Sequence, residues 1–154
     1  MSSINKQTGG YTLIELMVGI TIIGIAAATA FNSYQAYIER AEADQAIKDI
    51  AAIQLTIDGY AFNNNWTYPS SLSDVGLGGY KDPWGNTYQY LNIAQTGNVG
   101  RARKDRNLVP INSDYDLYSR GPDGRSVSPL TAEPSRDDII RANNGGFLGI
   151  AEDY

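Results

Sequence analysis

The chain has 154 residues, a net charge of −5, and neither histidine nor cysteine. Those absences exclude thiol and imidazole nucleophiles, the usual zinc sites and any disulfide. The acidic balance argues against a nucleic-acid-binding surface. Roughly twenty residues near the N-terminus form an apolar run, so the remainder suffices for one small domain.

The first ten residues are short and polar, with Lys6 their only charge. Gly9-Gly10-Tyr11-Thr12-Leu13-Ile14-Glu15 then leads into an apolar run over residues 16–31. As a helix, residues 11–31 would span about 31 Å, close to the thickness of a hydrocarbon core. A carboxylate costs about 2.5–3.5 kcal/mol at the centre of a membrane, so Glu15 calls for a charged partner. One reading is a secretory signal cut after the small-x-small triplet Ala28-Thr29-Ala30, which would leave Phe31 as the new N-terminus. Another is a plain single-pass anchor. Glu15 at the head of the run, and no turn signal after it, favour a retained helix.

That helix should continue. Residues 33–62 hold no proline and one glycine, Gly59. Ala43, Ile47, Ile50, Ile53, Ile57 and Tyr60 recur at helical spacing and make one apolar stripe. Glu39, Arg40, Glu42, Asp44, Lys48, Asp49 and Asp58 fall on the wetter faces. The spacing predicts one helix from Tyr11 to Phe62, apolar all round in its first half and amphipathic in its second. The second half must cover a sheet. Gly19 and Gly24, with Ala26, Ala27, Ala28 and Ala30, offer either a small-residue surface for close helix approach or ordinary membrane-helix composition.

Asn63-Asn64-Asn65 ends the helix. Pro69, Leu72, Val75 and Leu77 predict one short helical turn before the glycines at 76, 78 and 79. Asp82-Pro83-Trp84-Gly85-Asn86 reads as a turn that drops Trp84 onto the core, and residues 87–92 alternate as a half-buried strand. Residues 94–113 read as a loop with a basic cluster of Arg101, Arg103, Lys104 and Arg106. It is either simply solvated or a docking site for an acidic partner or phospholipid surface. A second strand follows over 114–119, and Gly121-Pro122-Asp123-Gly124 turns the chain. No pairing of residue types suggests a catalytic set, so an enzyme is not expected.

Three stretches, residues 9–31, 66–92 and 115–139, resemble the type IV pilin and pseudopilin superfamily. The second, with Tyr68-Pro69-Ser70-Ser71-Leu72 and Asp82-Pro83-Trp84-Gly85-Asn86-Thr87-Tyr88, looks like the major pseudopilins of type II secretion. The third, with Tyr115-Asp116-Leu117-Tyr118-Ser119-Arg120-Gly121-Pro122-Asp123-Gly124, points the same way. The resemblance implies an α+β fold: a long N-terminal helix on a small antiparallel sheet, with a metal-binding C-terminal loop. It divides the chain into a leader (1–10), a transmembrane assembly helix (11–31) and a periplasmic domain (32–154). A prepilin peptidase would cut after Gly10, and the new N-terminal Tyr11 would be methylated. The loss of Lys6 would make the net charge one unit more negative. Glu15 would meet the N-terminal amine of a neighbouring subunit.

In that family a calcium ion is held by carbonyls, carboxylates and a serine. Position by position, this implies the carbonyls of Arg120 and Arg125, with Ser135, Asp123, Asp137 and Asp138. Such hard oxygen ligands suit Ca²⁺; solvated turn aspartates are the plainer reading. The implied function is structural: a subunit polymerised from the bacterial inner membrane into a periplasmic pseudopilus for protein export. Its partners would be copies of itself, the peptidase, an inner-membrane assembly platform and minor pseudopilins or pilins. A subunit of a surface pilus for adhesion, motility or DNA uptake is the nearest alternative. A membrane-anchored calcium-binding domain that never polymerises is another. This chain departs from the family pattern in Asn32, where a proline is common, in an apparent insertion over 94–113, and in a longer Asp123-to-Asp137 separation.

Overall fold

The computed structural model describes residues 10–97 and 99–154. The expected leader, apart from Gly10, lies outside the described residues. The chain divides into two compact units, one ending at Glu39 and the other spanning Arg40–Tyr154. A single helix, α1 (Leu13–Asn63), contributes to both.

In the first unit the helix exposes its apolar side chains on every face, among them Leu13, Leu16, Ile20, Ile23 and Phe31. By length and composition it can cross a membrane, which the run from 11 to 31 led one to expect. Its threonine and serine hydroxyls are satisfied internally. Thr21 Oγ1 donates to the Met17 carbonyl at 2.7 Å, Thr29 Oγ1 to that of Ala26 at 2.9 Å, and Ser33 Oγ to that of Thr29 at 3.1 Å. In lipid, which offers no other partner, such back-bonding would leave these hydroxyls satisfied. No break in the helix occurs at Asn32.

In the second unit α1 buries Ala46, Ile50, Ile53, Ile57 and Ala61. The stripe expected from the sequence is therefore right in period but ends on Ala61; Tyr60 is only half-buried. The asparagines close the helix. Asn63 and Asn64 donate through Nδ2 to the carbonyls of Gly59 and Tyr60, at 2.9 and 2.8 Å. Asn65 and Trp66 then take positive φ, and Trp66 N returns to the Ala61 carbonyl at 2.7 Å.

The sheet has four antiparallel strands in the order β1 (Gln89–Asn92), β2 (Tyr115–Ser119), β3 (Ile139–Ala142) and β4 (Phe147–Ile150). Register runs Gln89 to Tyr118, Ser119 to Ile139 and Ile139 to Ile150. Each strand has only four or five residues, so side chains alternate faces over a very short span. On one face Tyr115, Leu117 and Ile139 pack with Tyr88 against Ile50, Ile53 and Ile57 of the helix. On the other, Ile140 and Ala142 pack with Ile111, Leu130 and Ala151. Residues 94–113 are therefore not a merely solvated loop. Ala102, Arg103, Ile111 and Asn112 are buried, and Ile111 packs on the face of the sheet opposite the helix.

Candidate functional site

Two places carry the residues singled out by the sequence. The first is the start of α1. Thr12 donates to Glu15 Oε2 twice, through its backbone N–H and its Oγ1, both at 2.8 Å. Glu15 N donates back to Thr12 Oγ1 at 3.3 Å. This is a capping box: Thr12 sits just before the first helical residue and Glu15 three positions on. The T-x-x-E spacing carries this signature in the sequence itself. Gly10 and Tyr11 lie outside the helix and are exposed immediately before the cap, and Tyr11 leaves 85% of its surface open.

The second place is the C-terminal loop. Its first anchor is the Asp82–Asn86 turn. Asp82 Oδ1 accepts from the backbone N–H groups of Trp84 and Asn86, at 3.1 and 2.8 Å, and Ser119 Oγ donates to Asp82 Oδ2 at 2.5 Å. Gly85 takes φ +90°, as a turn glycine should. Trp84 reaches the core edge, and its Nε1 donates to Glu42 Oε2 on α1 at 3.0 Å. Asn86 Nδ2 donates to the Gly121 carbonyl at 3.0 Å, tying this turn to the start of the C-terminal loop. Gly121 has φ +63°, and a Cβ there would fall 2.5 Å from the Asp137 carbonyl oxygen.

The six residues implied as calcium ligands divide into two groups. Asp123 and Asp137 meet on the outer side, where Asp123 N donates to Asp137 Oδ2 at 3.3 Å and Asp123 Oδ1 accepts from Arg125 N at 2.7 Å. Arg120 and Arg125 are exposed. Ser135 and Asp138 are completely buried instead. Ser135 Oγ exchanges hydrogen bonds with the N–H and carbonyl of Val127, each 2.8 Å.

Asp138 faces a cation already present. Arg103 Nη2 donates to Asp138 Oδ2, and Ser126 Oγ donates to the same oxygen at 2.6 Å. Arg103 Nη1 also reaches Ser126 Oγ at 2.5 Å and the Val127 carbonyl at 2.7 Å. Its guanidinium carbon stands 4.3 Å from the centre of the Tyr118 ring. Burial pushes the Asp138 carboxyl up to about 6, against the opposing pull of Arg103 and Ser126. Arg103 Nε and Asp138 Oδ1 are both buried without a hydrogen-bond partner. Among the described residues, no three carboxylates are placed to hold one metal ion. The donor set as packed does not fit a calcium cage, which needs six to eight converging oxygens. The sequence placed Arg103 in an exposed basic cluster, and nothing local distinguished it from Arg101 or Arg106.

A long apolar helix with a capped, acidic start, standing before a four-stranded antiparallel sheet with an irregular C-terminal loop, defines a pilin-like subunit. Residues 5–31 match the prokaryotic N-terminal methylation motif. Curated relatives include the type II secretion system core protein G of Vibrio cholerae, 35% identical over 121 residues, covering 64% of this chain and 80% of the relative. That of Escherichia coli is 30% identical over 144 residues, covering 80% and 88%. A fimbrial protein of Neisseria meningitidis is 29% identical over 149 residues, covering 91% and 82%. No solved structure matches. The chain belongs to the family of type II secretion system core protein G, the major pseudopilins.

Proposed function

We propose that this chain is the structural subunit of a type II secretion pseudopilus, anchored by residues 11–31 in the inner membrane with residues 32–154 in the periplasm. A prepilin peptidase removes residues 1–10, Tyr11 is methylated, and the subunit polymerises through its apolar helix to help drive protein export. The role is mechanical rather than enzymatic. The observation that carries this reading is the start of α1: a methylation motif leads into a helix with apolar side chains exposed all round. Such a surface needs lipid or other helices.

Glu15 takes part at two levels. Within the subunit its Oε2 caps the helix start through Thr12. A carboxylate has about four acceptor sites, so the amine of a neighbouring Tyr11 can be received without breaking the cap. That pairing would offset the cost of a charge in lipid.

Co-expression with a prepilin peptidase tests the processing step. The product should begin at N-methylated Tyr11 by mass spectrometry, and Gly10→Val should block the cut. A product beginning at Phe31 would refute the reading and restore the secretory signal. Glu15→Leu should insert normally yet fail to form filaments. Complementation of a secretion mutant separates export from surface piliation, the role suggested by the fimbrial relative; surface filaments without restored export would favour the latter.

A further inference from the structure

We propose that the Arg103 guanidinium is the resident cation of the C-terminal loop, and that this loop therefore folds without calcium. The inference concerns the folded domain alone and stands whether or not the pseudopilus reading holds.

An ionised carboxylate with no surface in water needs a paired charge, since burying it alone costs many kcal/mol. Asp138 is such a group, and the charge that faces it is Arg103, itself 3% exposed. A guanidinium suits the position for three reasons. It keeps its charge at any ordinary pH, and its donors fan out in a plane, so one group can serve several acceptors. Here those acceptors are Asp138 Oδ2, Ser126 Oγ and the Val127 carbonyl, which come from two separate parts of the 121–138 loop. Its face also rests on Tyr118 of β2. A cation that gathers a carboxylate, a hydroxyl and a carbonyl from one loop performs the work of a structural calcium ion.

The guanidinium is held in place as part of the chain. Arg103 N donates to the buried Asp116 Oδ2 at 2.6 Å, and the Arg103 carbonyl accepts from Ile111 N at 3.0 Å. Asn112 Nδ2 donates to Asp116 Oδ1 at 2.9 Å and to the Arg141 carbonyl at 2.9 Å. Arg103 and Asn112 are thus fixed to Asp116 of β2 and the Arg141 carbonyl of β3, which presents the Arg103 cation to the loop. Asp123 and Asp137 remain nearer solvent, where water can screen them without a metal.

The test uses the full chain in detergent, melted in EGTA and in calcium chloride well above the about 1 mM dissociation constant of weak extracellular calcium modules. The two melting temperatures should agree, and calorimetric titration with calcium should give only heats of dilution. A rise of several degrees with calcium, or saturable binding, would overturn the proposal. Arg103→Ala should melt several degrees lower in EGTA, and equal melting would also overturn it. Adding Asp138→Asn to Arg103→Ala should raise the melting temperature again, because the unpaired charge is gone. A further drop would mean that Arg103 only fills space. If Arg103→Ala does not fold, the wild-type pair of melts still decides.

Discussion

Arg141 stacks its guanidinium 3.9 Å from the centre of the Tyr115 ring while gripping Asp114 with two donors, Nη1 at 2.9 Å and Nη2 at 2.6 Å. The same side chain donates through Nε to Gln54 on α1 at 3.0 Å and through Nη1 to the Tyr115 carbonyl at 3.0 Å. One residue of β3 therefore ties together β2 and the helix. Its surface is 2% exposed, so the guanidinium itself is shut away from water. Removing one partner of a buried pair costs about 3–5 kcal/mol, most of it the stranded charge. Asp114 keeps some access to solvent, which reduces that share. Arg141→Met should cost about 3 kcal/mol in denaturant unfolding, and adding Asp114→Asn should recover part of it.

The two glycine turns around the C-terminal loop should respond differently to alanine. Gly85 has φ +90° but open space beside it, so Gly85→Ala meets only backbone strain, about 1–2 kcal/mol. Gly121 has φ +63° and the Asp137 carbonyl in the way. Overpacking adds a further 1–3 kcal/mol or so, and here the obstacle is backbone that cannot swing aside. Gly121→Ala should therefore lower the melting temperature clearly more than Gly85→Ala. Equal shifts would mean that the loop relaxes away from Gly121 at little cost.

Trp84 offers a milder test of how the turn is fixed to the helix. Trp84→Phe keeps most of the ring but loses the Nε1 donor to Glu42. A hydrogen bond to a charged group contributes about 1.5–3 kcal/mol when buried, and this one is only part-buried. The expected loss is about 1 kcal/mol. Glu42→Gln should cost less, since an amide oxygen still accepts.

The long helix, the two strands around residues 87–92 and 114–119, and the Asp82–Asn86 turn were legible because each has a local signature. The helix has a stripe of period 3.6, the strands alternate, and the turn carries Pro83 and Gly85-Asn86. β3 and β4 were not legible. Ile139-Ile140-Arg141-Ala142 is buried on both faces, so it shows no alternation, and its one charge is satisfied by a partner 27 positions away. Phe147-Leu148-Gly149-Ile150 is too short to show any period. The same limit hid Arg103. Whether an arginine is solvated or encloses a carboxylate depends on tertiary placement, and Asp138 lies 35 positions away.

The core tyrosines give the domain a pH limit on the alkaline side. Burial raises the ionisation of Tyr88, Tyr90 and Tyr115 above the ordinary phenol range, and to a lesser degree that of Tyr68. Acceptors already in place add to this for two of them: Tyr88 OH donates to Asp49 Oδ2 at 3.0 Å and Tyr115 OH to Asp58 Oδ1 at 3.1 Å. A phenolate there would sit beside a carboxylate. An unfolded tyrosine loses its proton near pH 10. Above that pH the native state holds protons that the unfolded state has released, so stability is full below about pH 10 and falls as pH rises. Tyrosinate absorbance from these residues should therefore appear together with loss of the near-ultraviolet dichroism, in one cooperative step. Tyr88→Phe should move that step to higher pH, because one such group is gone, even though the lost hydrogen bond costs about 1 kcal/mol at neutral pH. Tyrosinate formed by these four residues while the near-ultraviolet signal stays intact would show that their hydroxyls reach water in the native fold.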